Sequence, residues 1–209
     1  MQSDPKLNAL ITRNIGEFEQ TRAYLDDILW LELFKAFSSV FDSATDNASL
    51  VSYRNEEDEE FWFRKKDWVQ DNEAVGRGRF AFYLGYQIKG GNDESWLSNF
   101  TGTSPSGTGA GFYFEQRCVR HGGKWNGFIS DHNPAVKAIL DAGFSLEKPS
   151  RIYLPLKFDQ EELALAFEAE APEDALGPLR HAIEKIIETL PLFDGLIAQA
   201  NSQLEMREG

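Results

Sequence analysis

The chain has 209 residues, 42% of them hydrophobic and 13% aromatic, which is enough to fill the core of a single domain spanning residues 1–209. The formal net charge of −13 disfavours binding to nucleic-acid phosphates and to anionic membrane surfaces. It favours a protein partner, and among proteins a basic one, although many bacterial cytoplasmic proteins are also acidic.

Cysteine usage and hydropathy indicate a cytoplasmic location. Cys118 is the only cysteine, which excludes an intrachain disulfide and is consistent with a reducing compartment. No apolar run reaches the ~18 residues needed to span a bilayer. The first residues lack the basic and apolar regions of a secretory signal, so we expect neither export nor a membrane span.

The charge is distributed by region. Residues 1–60 carry a net charge of −8, residues 61–130 carry +3, and residues 131–209 carry −8. The two acidic regions have helical periodicity and the middle region has strand periodicity, as described next. The sequence therefore predicts a mildly basic sheet framed by acidic helices.

The first segment is predicted to be helical over residues 4–42. Asp4 can cap the helix and Pro5 suits its first position. Leu7, Ile11 and Phe18 recur at helical spacing, as do seven more apolar residues between positions 15 and 41. The polar segment 42–47 is predicted to be a loop.

Residues 48–130 are predicted to be mainly strands connected as an antiparallel meander. The clearest alternation runs from Phe80 to Ile88 and indicates a half-buried strand with one polar face. The remaining strand predictions are 50–53, 61–63, 112–118 and 125–129. Gly122 and Gly123 are predicted to form a turn, and residues 101–111 a Gly/Ser/Thr-rich loop.

The C-terminal third is predicted to be a short helix, a strand and two or three further helices. The short helix covers 133–143, with Asn133 as its cap and Gly143 ending it, and the strand covers 151–158. Pro155 cannot donate to a ladder, which predicts an edge strand or a bulge. Residues 159–207 are predicted to be helical, with Asp159 as a cap and with new helices beginning at Pro172 and Pro191.

Together these elements predict an α+β fold. Its antiparallel meander of about five or six strands would be flanked by the long N-terminal helix and by two or three C-terminal helices, packed on one face of the sheet.

Basic and aromatic residues are interleaved in the strand region, and they are the candidate binding residues. Such a set can bind single-stranded nucleic acid or a nucleotide by pairing and stacking, or it can form internal ion pairs with the acidic helices. We favour internal pairs, because the flanking regions contain 28 acidic residues. The candidates are Trp62, Arg64, Lys65, Arg77, Arg79, Tyr83, Tyr113 and Arg117.

A short segment resembles the degenerate motif of PD-(D/E)xK nucleases. Asp71, followed by Gln87 and Lys89 at a strand end, is similar to the residues that hold a metal and polarise water in that family. An acidic residue on the preceding helix, such as Glu32, would complete the set. The resemblance covers about 20 residues, Asp71 lacks the usual proline, and Gln87 replaces an acid.

Other constellations do not predict a cofactor or a metal. Cys118, His121 and His132 could supply three zinc ligands, but no fourth lies at suitable spacing. The acidic run from Glu56 to Glu60 lacks the spacing of a calcium loop, which favours a solvated loop. The glycine-rich stretch 102–111 lacks the lysine and the following helix of a phosphate-binding loop.

The preferred hypothesis is a non-enzymatic binding or regulatory protein that engages another macromolecule through its acidic helices or an aromatic sheet face. Inhibitors, immunity-type proteins and nucleic-acid mimics have such charge distributions. The alternatives are a metal-dependent hydrolase or nuclease using Asp71, Gln87, Lys89 and Glu32, and a small-ligand module with a pocket between sheet and helices. The sequence leaves the oligomeric state open.

Overall fold

The computed structural model describes residues 4–46, 49–55, 60–68, 79–86, 96–104, 107, 109–120, 122–130, 132–147 and 150–204. The predicted α+β fold is confirmed. The strands are β1 (Leu50–Asn55), β2 (Glu60–Lys65), β3 (Phe80–Tyr86), β4 (Ala110–Gln116), β5 (Ser145–Glu147) and β6 (Arg151–Leu156). The α-helices are α1 (Pro5–Arg13), α2 (Ile15–Tyr24), α3 (Trp30–Thr45), α4 (Trp96–Thr101), α5 (Gly122–Phe128), α6 (Pro134–Asp141), α7 (Gln160–Glu168) and α8 (Gly177–Gln203). A π-helical turn, Leu25–Leu29, joins α2 to α3, and a 3₁₀ helix, Pro172–Leu176, precedes α8.

The six strands form one antiparallel sheet in the order β1-β2-β3-β4-β6-β5. The first four form the predicted meander, and β6 then pairs with β4 after the excursion through α5 and α6. β5 pairs only with Arg151–Tyr153 of β6. Pro155 lies beyond the residues of β6 that pair with β5. No neighbouring strand is described on that side of Pro155, so its lack of an N–H removes no described hydrogen bond.

The helices of the body pack on one face of the sheet, as predicted. The register aligns Phe63, Phe82, Phe114 and Ile152 on that face. These side chains are buried in a single hydrophobic core with residues from α3, α4, α5, α6, α7 and α8. Phe193 of α8 is fully buried, with its ring centre 4.8 Å from those of both Phe82 and Phe114. Burial of this aromatic layer is the main source of stability.

The segment predicted to be helical over 4–42 is helical from Pro5 to Thr45, but not uniformly so. Asp4 accepts hydrogen bonds from the backbone N–H groups of Lys6 and Leu7, which starts α1. Asn14 separates α1 from α2 with a non-helical backbone conformation. The π-helical turn Leu25–Leu29 then inserts a wider turn before α3.

The prediction of a strand at 125–129 is wrong, because residues 125–128 belong to α5 and Ile129 directly follows it. Gly122 and Gly123, predicted to form a turn, begin that helix. Trp125 and Ile129 are buried four residues apart, whereas Asn126 is exposed. This spacing belongs to a helix face, and the short apolar run was too brief to distinguish the two periods.

The prediction of a new helix at Pro191 is also wrong, because α8 is continuous across it. Pro191 is exposed, and Leu190 and Phe193 beside it remain buried in the core. Core packing on both sides of the proline therefore outweighs the lost backbone hydrogen bond. Pro172 begins the 3₁₀ helix rather than an α-helix.

Two predictions on the strand region need correction. The prediction of a polar face on β3 is wrong, since Ala81 is buried and Tyr83 half-buried. The sequence pattern predicted neither α4 nor β5.

The helices capped by Asn133 and Asp159 are confirmed, and Gly143 has the expected positive φ of 99°. Residues 56–59, 87–88 and His121 lie outside the described residues.

Candidate functional site

The face of the sheet opposite the helices carries a row of aromatic side chains, which we call the aromatic face. The register places Trp62, Tyr83, Tyr113 and Tyr153 opposite one another on β2, β3, β4 and β6. Trp62, Tyr113 and Tyr153 are buried but do not belong to the helix-side core. The row therefore forms a second layer of packed rings.

The rings of the aromatic face contact one another. The ring centre of Tyr113 lies 5.5 Å from that of Tyr83 and 4.8 Å from that of Tyr153. The guanidinium carbon of Arg151 lies 3.9 Å from the centre of the Tyr113 ring, and Arg151 donates to the Tyr83 hydroxyl at 2.6 Å. The Tyr153 hydroxyl donates to the Ala110 carbonyl at 3.2 Å. The rings of Tyr83, Tyr113 and Tyr153 are therefore already stacked on one another or on Arg151 within the protein itself.

Two glycines let these rings lie against the backbone. Gly85 and Gly111 are opposite each other on β3 and β4. A Cβ at Gly111 would collide with the Tyr153 ring, and one at Gly85 would come within 3.0 Å of the Tyr83 ring. The absence of a side chain at both positions therefore permits the flat packing of the tyrosines.

The hydroxyls of Tyr113 and Tyr153 stay protonated at neutral pH. Burial raises the pKa of Tyr113 above its ordinary value, the carboxylate of Glu147 raises it further, and Arg151 partly offsets both. Burial, followed by Glu147, also raises the pKa of Tyr153. The buried hydroxyl of Tyr113 has no hydrogen-bond partner within the described ranges. Neither Tyr113 nor Tyr153 is therefore poised to release a proton near pH 7.

Three of the candidate binding residues are inaccessible. Trp62 is 4% exposed, Arg64 3% and Tyr113 1%. Arg64 donates to the Lys65 carbonyl at 3.2 Å. A ligand could not stack on these side chains without displacing their present contacts.

The other candidate cations are split between the two faces of the sheet. Lys65 lies on the helix side and donates to Asp194 of α8 at 2.7 Å. Arg79 and Arg117 are opposite each other, and the backbone N–H of Arg117 donates to the Arg79 carbonyl at 2.9 Å. The Arg117 side chain lies 3.3 Å from Glu115. Arg77 lies outside the described residues.

Most of the residues predicted for the alternative nuclease site lie outside the described ranges of the chain. Asp71, Gln87 and Lys89 lie outside the described residues, and Glu32 is exposed in the first turn of α3. Across the described ranges there is no group of three His, Cys, Asp or Glu side chains that could hold a metal. Cys118 is buried in the core, as expected for a packed thiol.

The most distinctive surface is the N-terminal arm, by which we mean α1 and α2. Neither helix contains a buried residue. In the part of the chain that the structure describes, ten large hydrophobic side chains are exposed, and eight of them lie between residues 7 and 31. These eight are Leu7, Leu10, Ile11, Ile15, Phe18, Tyr24, Ile28 and Leu31.

An apolar groove lies at the base of the arm. The π-helical turn contributes Leu25 and Leu29, α4 contributes Leu97, and α7 contributes Leu163 and Phe167. Its volume is about 280 Å³. Thr101 and Thr103, within the segment 101–111, line one side and share a hydrogen bond of 2.9 Å. The groove lies between helices, whereas the predicted ligand pocket was between helices and sheet.

The arm and the surroundings of the groove differ in charge. α1 carries Lys6 and Arg13 and no acidic residue. α7 and the turn after it carry seven exposed carboxylates between Asp159 and Asp174, and no basic residue lies between Lys157 and Arg180. The basic end of the arm and the acidic helix that lines the groove are thus complementary in charge.

The sequence pattern located the apolar residues of the arm but did not indicate that they are exposed. The apolar stripe of α1 has the same spacing as a stripe that faces a core. Residues lining the groove from α4 and α7 lie more than sixty positions beyond the arm, so periodicity could not have assembled them.

The fold and these surfaces define an α+β domain with a projecting apolar arm, a groove at its base and a closed aromatic face. None of the helices in the described ranges is long and apolar enough to cross a membrane. Comparisons with protein-family models, with curated proteins and with solved structures found no match to the chain.

Proposed function

We propose that this chain is a non-enzymatic, cytoplasmic binding protein that engages another protein through its N-terminal arm. The single observation that supports this most strongly is the concentration of exposed large hydrophobic side chains between residues 7 and 31. Exposed apolar side chains concentrated in one segment in this way mark interaction sites in folded proteins.

The length of the two arm helices supports the same proposal. α1 has 9 residues and α2 has 10, and neither buries a side chain against the rest of the chain. Isolated helices shorter than about 12–15 residues are only marginally stable in water. The arm therefore requires a partner surface to hold it in a helical conformation.

The chemistry of the groove indicates the kind of partner. Its lining is mainly aliphatic and aromatic, and α7 presents Glu161, Glu162 and Glu168 at exposed positions nearby. A segment that combines apolar and basic side chains fits this surface best. Nucleic acid remains disfavoured as a partner, because the chain carries a net charge of −13.

Capture experiments with matched variants test this proposal. Tagged chain, mixed with cell extract and with untagged chain, should retain a protein that the variant Leu10→Ser with Ile11→Ser retains at least tenfold less, since each lost apolar contact costs about 1 kcal/mol or more. Gln20→Ser, on an exposed position away from the apolar stripe, is the control and should behave as wild type. Equal retention by all three proteins would contradict the proposal.

A further inference from the structure

We infer that the protein bound by the arm is a second copy of this chain, paired antiparallel, so that α1 of each copy lies against the groove of the other. This inference rests on the proposed function, because it names the partner of the same arm. Four observations support it, and each concerns a different property of residues 5–32.

The first observation is that α1 has the composition the groove requires. It presents Leu7, Leu10 and Ile11 as exposed apolar side chains and carries Lys6 and Arg13 without any acid. The groove is lined mainly by apolar side chains and its helix α7 is acidic. The chain therefore contains both the site and a segment that fits it, and a two-fold axis that lets both reciprocal contacts form at once would close two copies into an isologous pair.

The second observation is the spacing of apolar residues about Phe18. Leu7 precedes Phe18 by eleven residues and Leu29 follows it by eleven, while Ile11 and Leu25 lie seven residues on either side. Counted along the sequence, a two-fold axis at Phe18 pairs Leu7 with Leu29 and Ile11 with Leu25 of the second copy; because Asn14 interrupts the helix, this pairing follows sequence order rather than one straight helix. Leu25 and Leu29 are the two residues that the π-helical turn contributes to the groove.

The third observation is the division of charge along this stretch. Residues 5–14 carry a net charge of +2, and residues 15–32 carry −4. An antiparallel pair places the basic half of each copy beside the acidic half of the other. A parallel pair would place the two acidic halves together, which is unfavourable.

The fourth observation is that the antiparallel register brings Lys6 within one helical turn of Asp27 and Glu32 of the second copy, although it also places Asp4 opposite Glu32 and Glu17 opposite Glu19. Lys6 of one copy lies two residues from the position opposite Glu32 of the other, and three residues from that opposite Asp27. Lys6, Asp27 and Glu32 are all exposed. Each contact occurs twice in the dimer because of the two-fold symmetry.

Disulfide trapping tests the pairing directly. The only native cysteine, Cys118, is buried, so an introduced thiol reports on its own position. Phe18→Cys places two thiols beside the proposed axis and should cross-link rapidly under mild oxidation. Gln20→Cys lies on the opposite side of the same helix and should cross-link at least tenfold more slowly. Equal rates, or faster linkage through Gln20→Cys, would overturn the inference.

Charge reversal with rescue distinguishes the second copy from other partners. Lys6→Glu should weaken dimerisation about three- to tenfold, as measured by sedimentation equilibrium, because two exposed ion pairs become repulsive. The double variant Lys6→Glu with Glu32→Lys restores opposite charges and should recover most of that loss. A double variant as weak as the single one would overturn the antiparallel register.

The outcomes separate this inference from the proposed function. A chain that sediments as a monomer at high concentration overturns the inference. If the capture experiment still shows a retained protein that depends on Leu10 and Ile11, the proposed function stands with a different partner. A monomer that instead binds anionic phospholipid vesicles through the arm overturns both, as does a monomer without any arm-dependent capture.

Discussion

The two ends of this chain are both helical, but their apolar side chains have opposite environments. α8 extends over 27 residues and buries nine of them in the core, including Phe193. The arm, α1 and α2, buries none and exposes Leu7 and Phe18 instead. Both regions have apolar residues at helical spacing, so periodicity alone does not determine burial. The two regions differ in whether the rest of the chain supplies a surface that covers the apolar stripe. It does so for α8 but not for the arm.

Replacing one phenylalanine in each of the two environments is the first test of this difference. Phe193→Ala removes a ring packed against Phe82, Phe114 and Phe144 and should lower the free energy of unfolding by about 3–5 kcal/mol. Phe18→Ala should change it by less than about 0.5 kcal/mol, because the side chain is exposed. Urea unfolding of dilute protein, where the arm is unpaired, measures both. Similar losses from the two substitutions would show that the arm packs on its own body.

A second comparison concerns carboxylates. Asp194 accepts a hydrogen bond from the indole N–H of buried Trp68 at 2.8 Å and from Lys65 at 2.7 Å. Asp194→Ala leaves the indole donor without its acceptor and should cost about 2 kcal/mol of unfolding free energy. Asp27→Ala, at an exposed position at the base of the arm, should cost less than about 0.5 kcal/mol in dilute protein. A loss at Asp194 no larger than that at Asp27 would mean that this bond is not maintained in solution.

The third comparison concerns helix caps. Asp159 caps α7, whose Leu163 is buried, and Asp4 caps α1, which buries nothing. Asp159→Ala should lower the free energy of unfolding by about 1 kcal/mol. Asp4→Ala should leave that quantity unchanged and reduce only the helical content measured by circular dichroism. An equal loss of unfolding free energy at both caps would contradict the independence of the arm.

The smallest expected effect concerns the aromatic face and pH. Tyr113→Phe removes a buried hydroxyl without a described partner, so at pH 7 its unfolding free energy should lie within about 0.5 kcal/mol of wild type. Tyr153→Phe is the matched control and should cost about 1 kcal/mol, because it loses the hydrogen bond to Ala110.

The raised pKa of Tyr113 also predicts a pH dependence with a definite sign. Below about pH 10 both the folded and the unfolded chain keep the proton, and stability is unaffected. Above that pH the unfolded chain releases a proton that folded Tyr113 retains, so the free energy of unfolding falls as the pH rises. Urea titrations from neutral to alkaline pH should show a smaller decline for Tyr113→Phe than for wild type. An identical decline would exclude Tyr113 as a contributor.

Much of the fold could be predicted because local signals agreed with packing. Alternating large apolar residues located the strand from Phe80, although Ala81 on its predicted polar face is also buried, and the helices at Pro134 and Gln160 have caps in Asn133 and Asp159. The errors arose where one local signal competed with long-range packing. Pro191 indicated a break that the core around Phe193 overrides.

The candidate site was less predictable, for a physical reason. The sequence pattern of interleaved cations and aromatic residues predicted a binding surface. In the structure, however, Arg64 and Tyr113 are buried and Lys65 faces the helices. The groove depends on contacts between residues near 25 and near 163, which no local pattern relates. Exposure of an apolar stripe is a property of the whole fold.

If the proposed pairing is right, the arm becomes stably helical only when a second copy covers it. Hydrogen exchange of the amides in residues 5–24, measured on dilute and on concentrated full-length protein, is the sharpest test. We expect rapid exchange in dilute protein and strong protection in concentrated protein, with no change in the core strands β3 and β4. Protection of the arm that is the same at both concentrations, whether absent or strong, would contradict it.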